Sequence, residues 1–176
     1  HQFASAVAGL EIPPNLEDDT PAGAAERERI GAHLATFTEE FRSLGIQLGA
    51  RYDESNLIVG DGTAAPADSP FEYVPSAVPG GRAPHIWLGP DDALFDRFGA
   101  HFTLLRLSEN SPDAGALTDA AQARNIPHEV VDIAETQVRD AYGANLVLLR
   151  PDHHIAWRGN EMPDNPDRLW TRVTGA

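Results

Sequence analysis

The sequence predicts an α/β fold, a mixed sheet flanked by helices, preceded by a helical and extended N-terminal arm. Three observations predict it. From Phe102 onward, short apolar runs alternate with segments of helical period in the order β-α-β-α-β-β-α. Strands separated by helices imply a parallel pair, and the closing hairpin implies an antiparallel addition. Before residue 80 the chain is looser and more acidic. Residues 1–79 hold 13 acids against 4 arginines, whereas residues 80–176 hold 14 against 9. We therefore divide the chain into an arm, 1–79, and a domain, 80–176.

In the arm, residues 12–23 are acidic and hold Pro13, Pro14 and Pro21, which reads as a surface loop. Thr20-Pro21 starts a helix, with proline at its first position. Ile30, Leu34, Phe37, Phe41 and Leu44 continue it as one apolar stripe, predicting a helix of about 20 residues that ends near Gly45. The stripe must bury against something: the domain, a missing portion of a larger protein, or a second copy. Two extended runs follow, Ile46 to Tyr52 and Asn56 to Val59, turning at Asp53-Glu54-Ser55. From Gly60 to Gly81, proline, glycine and alanine predict an extended wrap with little helix or ladder of its own.

In the domain, Ala83 to Leu88 predicts a strand and Gly89-Pro90-Asp91-Asp92 a turn, while Ala93 to Phe98 is a short element of unassigned type. Phe102 to Leu107 is the strongest strand. Ser111-Pro112 starts a helix with a small-residue face of Ala114, Leu117, Ala120 and Ala121, and Ser111 is expected to be its N-cap. Asn125 and Pro127 stop that helix. His128 to Ile133 is a strand. Ala134, Val138, Ala141 and Tyr142 form one face of a further helix, capped by Gly143. Leu146 to Arg150 and His154 to Arg158 flank a hairpin turn at Pro151-Asp152-His153. Asn165-Pro166 starts the last helix, bringing Leu169 and Val173 together. A sheet of this order in so short a stretch is the thioredoxin arrangement.

Composition removes several function classes. The 176 residues cannot hold two full catalytic domains. All 13 basic residues are arginine, and the net charge is −14. Such a chain repels phosphate backbones, so nucleic acid and anionic membrane surfaces are poor partners. Without lysine there is no Schiff-base nucleophile. Without cysteine there is no disulfide, thiolate catalysis or redox dithiol. No apolar run is long enough to span a membrane and no secretory signal is visible, so a cytoplasmic protein is expected. Because the first residue is not methionine, we expect a chain that was processed or cut from something longer.

Several segments resemble a known family. GGRAPHIWL (80–88), ALFDRFGAHFTLLRL (93–107), IPHEVVDI (126–133), YGANLVLLRPDHHIAWRG (142–159) and VTG (173–175) occur in that order. They resemble the C-terminal region of FAD-dependent aromatic-ring monooxygenases of the phenol hydroxylase and polyketide hydroxylase type. LEDDTPAGAAERERIG (16–31) and EFRSLGIQLGARYDESNLIVGDGT (40–63) are similar to the stretch that joins the flavin and substrate domains of that family to its C-terminal domain. The most specific pieces are RPDHHIAWRG and LGIQLGARY. The resemblance implies a thioredoxin-like fold without redox activity. It also implies a parent that binds FAD, uses NADPH or NADH with dioxygen, and hydroxylates an aromatic substrate. The family's dinucleotide motifs lie N-terminal to anything present here. The expected partners are therefore the catalytic FAD and substrate domains of a parent, with a homodimer as the alternative. No cofactor is expected on this chain alone.

The remaining motifs have structural readings. Gly60-Asp61-Gly62-Thr63-Ala64-Ala65 satisfies G-x-G-x-x-A, but Pro66 and Pro70 arrive where a phosphate-binding helix would open, so an Asp-Gly turn is expected. In active thioredoxins a dithiol follows the first core strand; Ser108 to Asp113 stands there, with no sulfur. The seven histidines include no helical i, i+4 pair, and Glu17-Asp18-Asp19 lacks calcium-loop spacing. No catalytic, cofactor-binding or metal-ligating residue is nominated. Six residues are singled out as interface or structural candidates: Arg82, His85, Trp87, Arg150, Asp152 and Trp157. In Arg150-Pro151-Asp152 the proline is expected to set the turn, the aspartate to cap backbone N–H groups and the arginine to pair with a carboxylate; the other reading is a docking hairpin. A freestanding, redox-inactive thioredoxin-like binding module is the alternative function.

Overall fold

The computed structural model describes residues 10–36 and 42–176. Helix α1 (Pro21–Ala35) starts as its sequence dictates: Pro21 needs no N–H partner, and the Thr20 hydroxyl accepts from the Gly23 N–H at 3.2 Å. A short helix α2 (Leu44–Leu48) follows. Beyond a long extended stretch come β1 (Trp87–Gly89), β2 (Asp92–Ala93) and a single 3₁₀ turn over Leu94–Arg97. The central elements are β3 (Phe102–Arg106), α3 (Gly115–Ala123), β4 (His128–Asp132) and α4 (Thr136–Tyr142). The chain closes with β5 (Leu146–Leu149), β6 (Ile155–Gly159) and α5 (Pro166–Thr174).

The main sheet has the order β4-β3-β5-β6. Strands β3 and β4 run parallel from Phe102 opposite His128 to Arg106 opposite Asp132. Strand β5 is antiparallel to both β3 and β6. This is the mixed sheet flanked by helices that the element order predicts. Strand alternation sends Leu105, Val147 and Leu149 to one face, with Leu94, Val138 and Tyr142, and Leu104 and Leu148 to the other. The second face is covered by α3 and α5 through Leu117, Ala121, Leu169, Trp170 and Val173. Burial of each of the large side chains among them, Leu117, Leu169, Trp170 and Val173, stabilises the fold by about 1.5–3 kcal/mol. Two polar groups on large side chains are buried and satisfied: Tyr142 OH donates to the Pro84 carbonyl at 2.8 Å, and Trp170 Nε1 to the Leu117 carbonyl at 2.9 Å.

The outer edge of β6 is occupied by the chain that precedes β1. Gly80 N–H donates to the Ile155 carbonyl, Ile155 N–H to the Gly81 carbonyl, and Ala83 N–H to the His153 carbonyl, all at 2.8–2.9 Å. Farther along, Val59 N–H donates to the Ala156 carbonyl at 2.8 Å. Paired in this way, β6 presents no open template to other chains. Register against β5 shifts between Leu148 and Leu149, which face Trp157 and Ile155. Ala156 is the extra, bulged residue, so Ala156 and Trp157 both join the α3–α5 face.

Several expectations are corrected. The helix of about 20 residues is two helices among the described residues. Thr36 closes α1, its N–H and hydroxyl both bonding to the His33 carbonyl. Leu44 opens α2, and Phe37 and Phe41 lie outside the described residues. The run from Ile46, expected to be extended, begins inside α2. Gly45 lets that helix sit directly on the Ser69 and Glu72 carbonyls, where any Cβ would collide. The strand expected over Ala83 to Leu88 shrinks to β1, because Pro84 has no N–H and Ala83 spends its own on His153. Ser111 is not a helix N-cap, since α3 begins at Gly115. Its hydroxyl instead accepts from Ser108 N–H and donates to the Asn145 carbonyl, both at 3.0 Å. Ala134 precedes α4 and is exposed, as is Ala141, and Val138 and Tyr142 are the residues of α4 that face the core.

Candidate functional site

Five of the six candidates meet at one end of the sheet, around the β5–β6 turn. That turn closes with His153 N–H donating to the Arg150 carbonyl at 2.9 Å, and His153 takes a φ of 61°. Asp152 accepts from His154 N–H at 3.2 Å and from Arg150 Nη2 at 3.1 Å, so the aspartate caps the turn and pairs with the arginine. Opposite lies the bridge between Arg82 and His154, which fixes the backbone of Arg82 beside the turn. An aromatic cluster fills the space between. His85 stands edge-on to Trp87 and to Phe95, and His153 edge-on to Phe95 and Phe98, with centroids 5.1–5.4 Å apart. The Arg82 guanidinium lies 5.1 Å from the Phe95 centroid. Trp87 is 61% exposed, the outermost member of the cluster.

Trp157 is elsewhere. It packs on the α3–α5 face, one strand residue past the bulge. Residues that sequence reading passed over complete the turn end. Tyr52 stacks at 4.7 Å on His154 and lies 5.5 Å beneath the Arg150 guanidinium. His154 Nε2 reaches the Ala50 carbonyl at 3.3 Å. The one sequence signal for this contact is that Arg51-Tyr52 and Arg150 to His154 fall in the two segments most specific to the resemblance.

The arm is locked to the domain a second time by Arg158. Its Nε donates to Asp61 at 2.7 Å, Nη2 to Thr63 Oγ1 at 3.0 Å and Nη1 to the Tyr142 carbonyl at 2.9 Å. Asp61 also accepts from Thr63 N–H at 2.9 Å, closing the Asp-Gly turn with Gly62 at φ 81°. No helix opens there, so the G-x-G-x-x-A match is no cradle for a pyrophosphate, and no step through a dinucleotide is derived from it. At the position equivalent to a redox dithiol, the Ser111 hydroxyl is a buried clamp between Ser108 and Asn145.

Three titratable groups tie these contacts to pH, His153 and Asp152 at the turn and Asp61 on Arg158. Burial lowers the pKa of His153, and the Arg82 charge lowers it further against the opposing Asp152. For Asp61 and Asp152 burial pushes the carboxyl up, but it is outweighed by hydrogen bonds: Thr63 and Arg158 at Asp61, Arg150 and His154 N–H at Asp152. Both carboxyls therefore sit below the usual range. A base with a lowered folded pKa stabilises the native state above its ordinary value of 6.5, and that contribution is lost as pH falls through the folded value. The aspartates contribute above their ordinary 3.8 and lose it as pH falls through their lowered values. Stability is thus expected to fall in two steps on acidification, a shallow one below about pH 6.5 and a steeper one below about pH 4. Urea midpoints at pH 8, 5 and 3 read both steps. His153→Asn, which tolerates the positive φ, should flatten the first. An unchanged first step in that variant would remove His153 from the account.

A family model described as "Aromatic-ring hydroxylase, C-terminal" matches residues 76–176. The chain belongs to that family. As an aromatic-ring hydroxylase C-terminal domain, it is 31% identical to FAD-dependent monooxygenase apdD of Emericella nidulans over 97% of its length, and to phenol 2-monooxygenase of Pseudomonas sp. over 86%. Its fold matches that of RebC-10x, solved native and K252c-bound, with a TM-score of 0.76, 35% identity and 98% of this chain covered. In the other direction coverage is small: 29% of apdD, 28% of the phenol 2-monooxygenase and 33% of RebC-10x. This domain thus spans less than a third of the curated relatives it matches. Among the described residues, no helix is long and apolar enough to cross a membrane.

Proposed function

We propose that this chain is the structural and interaction domain of an FAD-dependent aromatic hydroxylase, without catalysis of its own. The match of residues 76–176 to the C-terminal family carries this reading. The geometry supports it, since Arg150 and Asp152 are spent on each other and the Ser111 hydroxyl, where active thioredoxins carry a dithiol, is a clamp. In the parent, FAD reduced by NADPH or NADH supplies the transfer of oxygen from dioxygen to an aromatic ring. This chain's residues hold the surface against which the flavin- and substrate-bearing portion rests. The arm, 1–79, is the joining segment, and 80–176 is the folded unit. Arg82, His85, Trp87, Arg150 and Asp152 are interface or structural residues at one end of it, with Trp157 structural on the opposite face. The protein is cytoplasmic.

Flavin binding tests this directly. The purified 176-residue chain is expected to retain no stoichiometric FAD, whereas the full-length parent polypeptide should carry one per chain. Tight stoichiometric flavin on the isolated chain, read by absorbance after gel filtration, would contradict the proposal.

A further inference from the structure

Among the described residues, no carboxylate pairs with Arg82. Arg51, Arg97, Arg106, Arg124, Arg150 and Arg158 each pair with an aspartate at 2.7–3.1 Å. Among the described residues, the half-buried Arg82 makes no ion pair, although the chain carries 27 acids. It is nevertheless held in place by its backbone bridge to His154 and its contact with Phe95. Partial burial of an uncompensated guanidinium costs free energy that an arriving carboxylate would recover.

Arg82 lines a cleft of about 440 Å³ together with Tyr73, a half-buried phenol near enough to feel the guanidinium charge. The cleft's own carboxylates do not compete for Arg82: Asp53 is taken by Arg51 at 2.7 Å, and Asp68 and Glu72 are exposed. Around it runs an apolar rim. Ile46 stands on α2, and Val74 on the segment against which Gly45 presses that helix. Ile46 is 66% and Val74 55% exposed. Exposed apolar side chains beside an arginine that pairs with no described carboxylate have the make-up of an interface centre.

Resting on the function proposed above, we infer that this cleft is the docking surface for the preceding, flavin- and substrate-bearing portion of the parent polypeptide. That portion inserts an aspartate or glutamate against Arg82 and Tyr73 and lays apolar side chains on the rim. Two observations select this occupant. The relatives are about three times as long as the chain, so most of the parent lies outside it. The charge required of the partner at the cleft is the one Arg82 lacks.

Hydrogen exchange read by mass spectrometry on the full-length parent and on the 176-residue chain tests the inference. Amides of 44–48, 69–74 and 80–83 are expected to exchange at least about tenfold more slowly in the full-length protein. Arg82→Glu and, independently, the exposed Ile46→Asp should each restore fast exchange there while β3 and β5 stay protected. Slowing that spares these peptides but appears elsewhere in the chain would overturn the inference and leave the proposed function standing. No slowing anywhere would remove the docking role itself. Concentration-dependent slowing at these peptides in the isolated chain would assign the cleft to a second copy and overturn the inference.

Discussion

Trp170→Ala is expected to cost about 3–5 kcal/mol, enough to leave the domain largely unfolded at 37 °C if its stability is ordinary. Trp170 is 1% exposed and is the largest fully buried side chain. It fills the space between α5 and the sheet, edge-on to Phe102 at 5.3 Å, and its indole N–H satisfies the Leu117 carbonyl of α3. Alanine therefore opens a cavity and removes the indole hydrogen bond together. Urea unfolding followed by far-ultraviolet circular dichroism measures the loss. Trp170→Phe separates the two contributions: it keeps most of the volume and loses the hydrogen bond, so about 1–2 kcal/mol is expected. A loss below 1 kcal/mol for the alanine variant would show that α5 does not cover the sheet as described.

Arg158→Ala is expected to cost about 2 kcal/mol and to release residues 57–63 from the sheet. The guanidinium side chain is 13% exposed and makes three bonds, two to the Asp61–Thr63 turn and one to the end of α4. Removing it leaves a partly buried Asp61 carboxylate and the Tyr142 carbonyl without their donor. Asp61 is 25% exposed, so water recovers part of the loss and the cost stays below that of a fully buried pair. A double-mutant cycle with Asp61→Asn isolates the pair. The lysine variant, Arg158→Lys, keeps the charge but cannot reach three acceptors in one plane, so it should recover only part of the stability. Wild-type stability in Arg158→Ala, with residues 57–63 still protected from exchange, would show the arm to be held by its other contacts.

The two substitutions act on residues of unequal legibility. From the sequence Trp170 is expected to be a core or interface anchor; its fit between two helices depends on α3 arriving from residues 115–123. Arg158 lay in a segment that already stood out, yet its partner Asp61 was read only as a turn residue. Both readings of Asp61 hold at once, because its two oxygens serve the turn and the arginine separately. The candidates Arg82, His85, Trp87, Arg150 and Asp152 could be named individually, but nothing in the chain says that residue 82 faces residue 154. The aromatics joining them, Tyr52 and Phe95, stand at no regular spacing, and only the place of Tyr52 in LGIQLGARY marks it.

Strand and helix order from Phe102 onward, the Gly143 cap, the Asn165-Pro166 start and the Arg150–His153 turn were determined by the sequence alone. Each depends on periodicity or on side chains within about four residues of the backbone they serve. The tertiary structure alone decided that Ser111 clamps Asn145 instead of capping α3, that the chain after Ile46 begins helical, and that residues 80–83 seal β6. In all three cases the choice belongs to a backbone group tens of residues away, which the local sequence does not contain. The same reason leaves Arg82 without an acid: a guanidinium selects its partner from whatever the folded surface brings near, and among the described residues no carboxylate is brought there.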